Sequence, residues 1–424
     1  MKIAIVGTGI AGLVAARRLH AEHEITVFEA ADRLGGHTHT VPVRDGAETT
    51  AVDTGFIVFN KRTYPGFTAL LDELGVAYGP SPMSFSVRDD RTGLEYNGTS
   101  IDGLFAQRGN LLRPGFWRML RDILRFYREA PAVLARAEGD EETLGAYLDR
   151  NRYSRQFVEQ HMLPMGAAVW SSRPDHMREF PLRFLVQFFH NHGFLAVNDR
   201  PQWLVVRGGS SSYLEPLTRP FRDRIRLSTP VQSIEPGPLH VRLRTAGGKE
   251  AVFDRVVLAC HADTSLRLLA DPTPLERELL GSFEFQRNEV VLHSDASLMP
   301  RCKRAWASWN YHVTEPRSEL PTVTYWMNHL QGLPGSTQYF VTLNRTRDIA
   351  PDKVLREFVY HHPVYSPRAL RAQRRHAEID GLRGVHYCGA YWGYGFHEDG
   401  LRSAQAVLPR IRARAPAAQL EAIA

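Results

Sequence analysis

Three glycines near the N-terminus have the spacing of a phosphate-binding loop. Gly7, Gly9 and Gly12 form a Gly-x-Gly-x-x-Gly pattern between a predicted strand, Lys2–Val6, and a predicted helix, Ala11–His20. Gly7 permits a tight turn, Gly9 lets the backbone approach a pyrophosphate, and Gly12 lets the helix pack closely on the strand. Free N–H groups at the start of the helix would hold the phosphates. The pattern predicts a dinucleotide site.

An acidic residue stands where such a site needs one. Glu29 ends a second predicted strand, Glu24–Glu29, and follows Gly7 by 22 residues, so its carboxylate is placed to accept hydrogen bonds from ribose hydroxyls. The two strands and the helix between them make a βαβ unit. We expect the neighbouring residues Ile10, Ala11 and Ala30 to line the same site.

A second glycine pair follows Glu29 in the segment Ala30–His37. Arg33, Gly35, Gly36 and His37 suit a ligand that continues past its diphosphate, although a plain turn with a structural arginine would give the same pattern. His37 and His39 have a spacing that a metal could use. No third ligand is evident, so the sequence predicts no metal site.

The C-terminal region contains a third glycine-rich motif. A predicted strand, Gly384–Cys388, leads into Gly389 and Ala390, and a predicted helix begins at about Gly400 and runs to Arg412. Between them lies the sequence His397-Glu398-Asp399. Its two carboxylates fit either acid–base groups or anions that satisfy backbone donors at a helix N-terminus.

Length and composition indicate an ordinary two-domain globular protein. The chain has 424 residues, of which 43% are hydrophobic and 23% charged. The net charge is +6, but no basic face with stacking aromatics indicates a nucleic-acid partner. Three widely spaced cysteines without a CxxC pair favour a reducing compartment, and no apolar run predicts a transmembrane helix. Glycines and Arg17-Arg18 argue against a secretory signal, so we expect a cytoplasmic protein.

Beyond the N-terminal βαβ unit, the sequence predicts further strands in the middle of the chain. β-structure is predicted at Arg224–Glu235, Leu239–Thr245 and Ala251–Ala259, the last two as a hairpin across Gly247-Gly248. We therefore predict an α+β fold in which a discontinuous Rossmann-like nucleotide domain (residues 1–75, 205–270 and 375–424) encloses a helical-plus-sheet substrate domain (residues 76–204 and 271–374).

Further motifs give the chain a family resemblance. It resembles bacterial FAD-dependent oxidoreductases of the amine-oxidase superfamily, the group that accompanies cyclopropane-fatty-acyl-phospholipid synthases. The matching stretches are VDTGFIVFN (52–60), residues 83–87, LPMGAAVWS (163–171), QWLVVRGGSSSY (202–213), AWASWNY (305–311) and GYGFHEDG (393–400). The resemblance implies noncovalent FAD. It places Gly389 by the phosphate or ribitol and a helix starting at Gly400 towards the flavin, and it adds Thr54, Gly55, Phe56, Val231 and Leu401 to the expected FAD contacts. Ala390 stands where the family usually has an acidic residue.

The resemblance also implies a substrate class. Members of the group are implicated in modifying unsaturated or methylated fatty acyl chains, and related enzymes include a polyunsaturated fatty acid isomerase. An oxidase of amines or isoprenoids is an alternative, as is a non-catalytic flavin-binding accessory protein at a membrane. Two family features of amine oxidases are missing: the predicted strand 288–292 has Asn288 near the place of the usual lysine, and His397 replaces an aromatic wall.

His397 is therefore the predicted catalytic residue. A neutral imidazole beside the flavin could shuttle a proton or hold a polar group. A structural hydrogen bond that ties down its loop is the other interpretation.

A predicted helix, Leu111–Ala137, has the character of a peripheral membrane contact. Arginines occupy one face at intervals of three, four and three, and apolar side chains occupy another. The arginines are Arg118, Arg121, Arg125 and Arg128, and the apolar residues are Leu112, Phe116, Leu120, Ile123, Leu124 and Tyr127. An ordinary solvated basic face would give the same pattern.

Overall fold

The computed structural model describes residues 1–46, 48–136, 141–198 and 200–413. One part is built on a five-stranded parallel sheet whose strands come from four distant stretches of the chain. In spatial order the strands are Ile225–Arg226, Glu24–Phe28, Lys2–Val6, Arg255–Leu258 and Val385–Tyr387. The helix Ile10–Leu19 connects the first two strands of the chain, which confirms the predicted βαβ unit.

The predicted hairpin forms, but both of its strands are shorter than expected. Val241–Thr245 pairs antiparallel with Glu250–Phe253, and Val231–Pro236 completes a small three-stranded sheet. The chain then leaves this sheet, because the Asp254 N–H donates to the Lys2 carbonyl (2.8 Å) and Arg255–Leu258 continues as a strand of the parallel sheet.

The predicted strand Arg224–Glu235 is likewise divided. Its start joins the parallel sheet and its end joins the small antiparallel sheet. Ser228 lies between them in the left-handed region (φ 47°) and donates its N–H to the Ala31 carbonyl (2.8 Å). Side-chain alternation alone does not reveal such a change of sheet.

A second part of the molecule contains a seven-stranded sheet covered by helices. Its strands, in spatial order, are Val354–Val364, Glu284–His293, Phe340–Leu343, Val323–Trp326, Trp309–Val313, Phe85–Asp89 and Leu94–Asn97. Two smaller sheets stand beside it: Thr40–Asp45 with Glu48–Asp53, and Phe59–Asn60, Trp203–Val206 and Tyr78–Ser81. The domain boundaries themselves stay a prediction, and residues 414–424 of the last predicted piece lie outside the described residues.

The remaining α-helices are mostly short. They are Pro65–Leu74, Ile101–Leu104, Pro114–Glu129, Leu144–Arg150, Arg155–Phe157, Leu163–Trp170, Pro174–Arg178, Leu182–Asn191, Leu214–Thr218, Ala262–Leu268, Pro274–Leu280, Met327–Gln331, Pro367–Arg374, His376–Ile379 and His397–Arg412, with a π-helical turn at Val158–Met162. The C-terminal helix packs on Ile10–Leu19 and begins three residues before the predicted Gly400. Among the described residues we find no helix with the length and apolarity needed to cross a bilayer.

The predicted helix Leu111–Ala137 is shorter and differently oriented than its pattern suggested. The α-helix is Pro114–Glu129, and Ala137 lies outside the described residues. Phe116 and Ile123 of the predicted stripe are buried, and so is Phe126, which was not predicted on it. Leu112 and Leu124 of the predicted stripe are 87% and 57% exposed. The stripe was assigned too broadly, since side chains at its edge face solvent.

Candidate functional site

The N-terminal glycine loop has the geometry that its sequence predicts. A Cβ at Gly12 would lie 1.9 Å from the Gly7 carbonyl oxygen, so only glycine lets the helix approach the loop. A Cβ at Gly9 would meet nothing within 4 Å, because this position opens into a cavity. Ile10 and Ala11 line the same cavity. Their N–H groups belong to the first helical turn, which leaves them free for a ligand.

Glu29 lines the cavity beside the N-terminal glycine loop. One carboxylate oxygen accepts hydrogen bonds from the Thr8 N–H (2.9 Å) and hydroxyl (2.5 Å), and the other accepts from the Ala31 N–H (2.9 Å). The side chain is thereby fixed at the carboxyl end of its strand, where ligands of parallel sheets bind. The following Ala30 is not among the residues that line the cavity.

The second glycine pair folds against the first loop. Gly36 lies in the left-handed region (φ 58°), and a Cβ there would approach the Gly9 Cα to 3.1 Å. Gly35, Gly36 and His37 line the cavity. Arg33 instead turns back and donates to the carbonyls of Leu34, Gly36 and Thr38 (2.9–3.3 Å). This arginine shapes the loop.

Some of the predicted C-terminal site residues line the cavity, and others pack against neighbouring elements instead. Gly389 and Ala390 line the cavity. Gly400 packs on the first helix, since a Cβ there would lie 2.8 Å from Ile10 Cγ2, and Leu401 is buried beside it. Val231 begins a strand of the small antiparallel sheet, away from the cavity lining.

Glu398 and Asp399 are both occupied with backbone donors. Glu398 accepts from the N–H groups of Gly66 (2.9 Å) and Phe67 (2.8 Å), at the start of the Pro65–Leu74 helix. Asp399 accepts from the Phe396 N–H (3.0 Å) at the start of its own helix. Burial raises the pKa of Asp399 to about 6. Of the two interpretations open from the sequence, these contacts favour helix-terminal anions.

Thr54, Gly55 and Phe56 form a further part of the wall. They follow Asp53, which is buried and accepts hydrogen bonds from the Ser210 N–H (2.8 Å), the Thr40 hydroxyl (2.6 Å) and the Gln331 amide (3.1 Å). Burial raises the pKa of the Asp53 carboxyl to about 6.

These segments enclose one continuous cavity of about 570 Å³. We call the part lined by the glycine loops and Glu29 its nucleotide end. The opposite part, the apolar end, is lined mainly by aromatic and aliphatic side chains. These are Ile57, Val58, Met83, Phe85, Tyr96, Tyr127, Met165, Val169, Trp170, Phe188, Phe194, Trp203, Val290, Trp309, Tyr325, Leu343, Tyr394 and Phe396.

Several lining residues escaped the sequence analysis. Ala259, Cys260 and His261 follow the strand Arg255–Leu258, and the carboxyl end of a parallel strand is a signal that could have found them. Tyr360 and His362, on the long strand Val354–Val364, have no such signal. They reach the cavity only through the pairing of that strand with Glu284–His293.

His397 is the first residue of the C-terminal helix and is buried at the cavity wall. Its Nε2 lies 2.9 Å from the Thr38 hydroxyl and 3.1 Å from the Tyr213 hydroxyl, and its ring stacks on Phe56 with centroids 3.6 Å apart. Burial lowers the pKa of the ring to about 3, so it is neutral at physiological pH. These contacts hold the Thr38 loop against the C-terminal helix.

The side chains of His37 and His39 contact other residues of the chain. His39 Nδ1 lies 2.8 Å from the Tyr360 hydroxyl, and the His37 ring packs against His362. Within the described ranges no cluster of three or more metal-ligating side chains occurs.

The open space at Gly9 generates a test of the nucleotide end. We expect Gly9→Val to fold and to lose the FAD that the resemblance implies, because the side chain would project into the space that suits a pyrophosphate. Gly247→Val is a matched control, since a Cβ there also meets nothing within 4 Å but lies in the distant hairpin turn. Absorbance at 450 nm after desalting measures occupancy. Full occupancy in folded Gly9→Val would contradict the assignment.

Because His397 is buried, its contribution to the free energy of unfolding should depend on pH. We expect His397→Phe to lower the free energy of unfolding at pH 7 by about 1–3 kcal/mol, because two buried hydroxyls lose a partner. The pKa falls on folding from 6.5 to about 3, so the wild type loses stability as the pH falls through that window. The difference between wild type and variant should therefore shrink from pH 7 to pH 4 in urea unfolding. If the unfolding free energies of wild type and variant changed in parallel with pH, the ring would have the same pKa in the folded and the unfolded protein, which would contradict the prediction.

The residues fit FAD. The space at Gly9, the free first-turn N–H groups and Glu29 suit an ADP moiety. The cavity then continues past the second glycine pair, as a longer cofactor requires.

Comparisons with known proteins agree with this geometry. Mouse L-amino-acid oxidase is 25% identical over 295 residues, covering 65% of this chain and 44% of the mouse protein, so the chain spans less than half the length of that relative. The structure of a cyclohexylamine oxidase from Brevibacterium oxydans superposes with a TM-score of 0.71 at 18% identity, covering 99% of both chains. A CLA-producing fatty acid isomerase from P. acnes superposes with a TM-score of 0.67 at 15% identity, covering 97% of this chain and 98% of that one. These two structures share the fold.

The family model described as flavin containing amine oxidoreductase matches residues 10–288, more than half of the chain. The chain therefore belongs to this family of flavin-containing oxidoreductases.

Proposed function

We propose that the enzyme removes hydride from an activated C–H bond of a lipid acyl chain and gives a desaturated or isomerised product. The observation that carries the proposal is the charge of the cavity. Among the described lining residues, Glu29 at the nucleotide end is the one carboxylate, and Arg200 is the one arginine or lysine. An acyl chain suits the apolar end, and the anionic head of a free fatty acid suits Arg200.

The same charges argue against an amine. A protonated amine in the apolar end would find no carboxylate among the described residues that line this end and would be repelled by Arg200. The strand Glu284–His293 also has no lysine. The fatty acid isomerase among the structural neighbours and the resemblance to the cyclopropane-synthase-associated group support the acyl proposal.

Desaturation and isomerisation both begin with the same loss of hydride and differ in where the electrons go. Bound FAD supplies a two-electron acceptor for hydride. In desaturation one C–H bond loses hydride and the adjacent C–H bond loses a proton, and an external oxidant then removes the electrons. In isomerisation the hydride returns to another carbon of the chain, and no electrons are lost. The protein positions the chain and excludes water, and in desaturation the neutral imidazole of a lining histidine such as His161 accepts the proton.

His397 has a positioning role in this proposal. Its Nε2 is engaged by two hydroxyls, and its ring holds the loop that carries the second glycine pair. A direct proton transfer by His397 stays a prediction, and it would require these hydrogen bonds to open.

Anaerobic reduction of the bound flavin tests the substrate class. We expect bleaching at 450 nm with free unsaturated or methyl-branched fatty acids, and little with cyclohexylamine or with the same acyl group as a methyl ester. Arg200→Gln should raise the half-saturating acid concentration about tenfold, the loss of one charged interaction. Arg219→Gln removes an exposed arginine elsewhere and serves as the control. Reduction by the amine and by none of the acids would refute the proposal.

Isomerisation leaves the flavin oxidised at the end of turnover, so product analysis accompanies the spectra. Mass spectrometry detects loss of two hydrogens, and gas chromatography separates double-bond isomers of unchanged mass. Unchanged acids after both measurements would also count against the proposal.

We further propose that residues 101–124 contact the membrane. Half of the ten exposed large hydrophobic side chains in the described structure fall in this stretch, namely Ile101, Leu111, Leu112, Trp117 and Leu124. Arg118 and Arg121 are exposed beside them. Arg125 instead pairs with Glu129 (3.0 Å) and packs over Tyr153, and Arg128 pairs with Glu129 (3.2 Å). Tyr127 of the same helix lines the cavity, which would give a chain in the bilayer a short path inwards.

Vesicle binding tests this contact. We expect sedimentation with anionic vesicles that weakens as salt rises. Arg118→Gln with Arg121→Gln should weaken binding about tenfold or more, at about 1 kcal/mol per charge. Arg219→Gln with Arg222→Gln makes the same charge change elsewhere and should leave binding intact. Equal losses in both pairs would mean that net charge, rather than this surface, drives binding.

A further inference from the structure

We propose that His362 presents a fixed, neutral Nε2–H donor to the redox-active ring of the bound FAD. This inference rests on the FAD-dependent family and is independent of the acyl substrate. Its basis is a chain of hydrogen bonds that leaves one tautomer for the imidazole, and the place of that imidazole between the two ends of the cavity.

The chain of hydrogen bonds begins at a backbone donor. The Glu289 N–H donates to Asn344 Oδ1 (2.9 Å), which fixes the orientation of that amide. Asn344 Nδ2 then donates to the Pro321 carbonyl (2.9 Å) and to Asn288 Oδ1 (2.8 Å). The second amide is oriented in turn, so Asn288 Nδ2 donates to His362 Nδ1 (2.9 Å). An imidazole that accepts at Nδ1 carries its proton on Nε2.

The ring is held neutral as well as oriented. Burial lowers the pKa of His362 to about 4, and the nearby rings of His261 and His361 act in the same direction. A neutral ring with Nδ1 occupied has one remaining function, which is to donate from Nε2.

His362 lies between the nucleotide end and the apolar end. On one side its ring is 5.4 Å from that of His37, which follows the second glycine pair. On the other side its partner Asn288 also donates to the Ser171 carbonyl (3.3 Å), and Ser171 lines the cavity next to Trp170. A cofactor whose ADP lies at Gly9 and Glu29 must bring its ring towards this position to meet a substrate in the apolar end.

Ser171 ends the helix Leu163–Trp170 in the left-handed region (φ 49°), a conformation that is costly for a residue other than glycine. Its carbonyl accepts from both Asn288 and Gln286 (3.2 Å). The strained backbone is thus held by the same amides that orient His362.

The expected effect is on the redox equilibrium of the flavin. Two-electron reduction makes the edges of the ring more negative, and an N–H donor stabilises the more negative form. His362→Leu in the holoenzyme should therefore lower the midpoint potential, and we expect about a tenfold change in the equilibrium constant, ~30 mV for a two-electron couple. His362→Gln can place an amide N–H near the same point and should restore most of the shift.

The control is a buried histidine of the paired strand. His293 is hydrogen-bonded to the Thr342 hydroxyl (2.7 Å) and is not among the cavity-lining residues. His293→Gln should leave the potential unchanged. An unchanged potential in fully flavinated His362→Leu would overturn the proposal. Equal shifts in the Leu and Gln variants would overturn it as well, because they would mean that the presence of an N–H donor at this position does not affect the potential.

A second measurement uses the wild-type protein and does not depend on a folded Leu variant. ¹⁵N spectra of histidine-labelled holoenzyme should show a neutral Nε2–H tautomer for the signal that disappears in His362→Gln, and its Nε2 shift should move on flavin reduction. A neutral Nδ1–H tautomer, or a signal indifferent to reduction, would contradict the proposal.

Discussion

A buried carboxylate joins segments of this chain that are far apart in sequence. Asp53 binds Ser210, Thr40 and Gln331, and thereby ties its own hairpin to the GGSSSY segment and to the Met327–Gln331 helix. A buried charge is tolerated only when its oxygens are satisfied by donors, so the three partners must be in place together. The wall of the cavity at Thr54–Phe56 depends on this cluster, because it directly follows Asp53 in the chain.

Among the residues that the structure describes, the lining of this cavity carries one carboxylate and one arginine. Burial depresses the pKa values of His362 and His397, and each ring keeps a defined hydrogen-bonding role. Neutral, oriented imidazoles suit an enzyme in which the cofactor supplies the redox chemistry. The side chains then contribute orientation, electrostatics and the exclusion of water.

Family membership and substrate choice depend on different residues. The glycine loops and Glu29 identify a flavin enzyme, and they would serve an amine or an acyl chain equally well. In the proposed function, discrimination depends on the apolar end, where Arg200 contributes the cation and none of the described residues that line this end contributes a carboxylate. Function on a shared fold is a property of such local differences.

The sequence by itself determined the nucleotide end. Gly9, Gly12 and Glu29 act through local geometry within one βαβ unit, so their spacing was enough to predict their places in the loop and at the end of the strand. Tertiary structure decided the rest. Arg33 and Gly400 were predicted from motifs to contact the cofactor. In the structure Arg33 donates to carbonyls of its own loop, and Gly400 packs against the first helix. His362 reaches the cavity only because two strands some 70 residues apart pair, and such pairing is set by the packing of the whole chain.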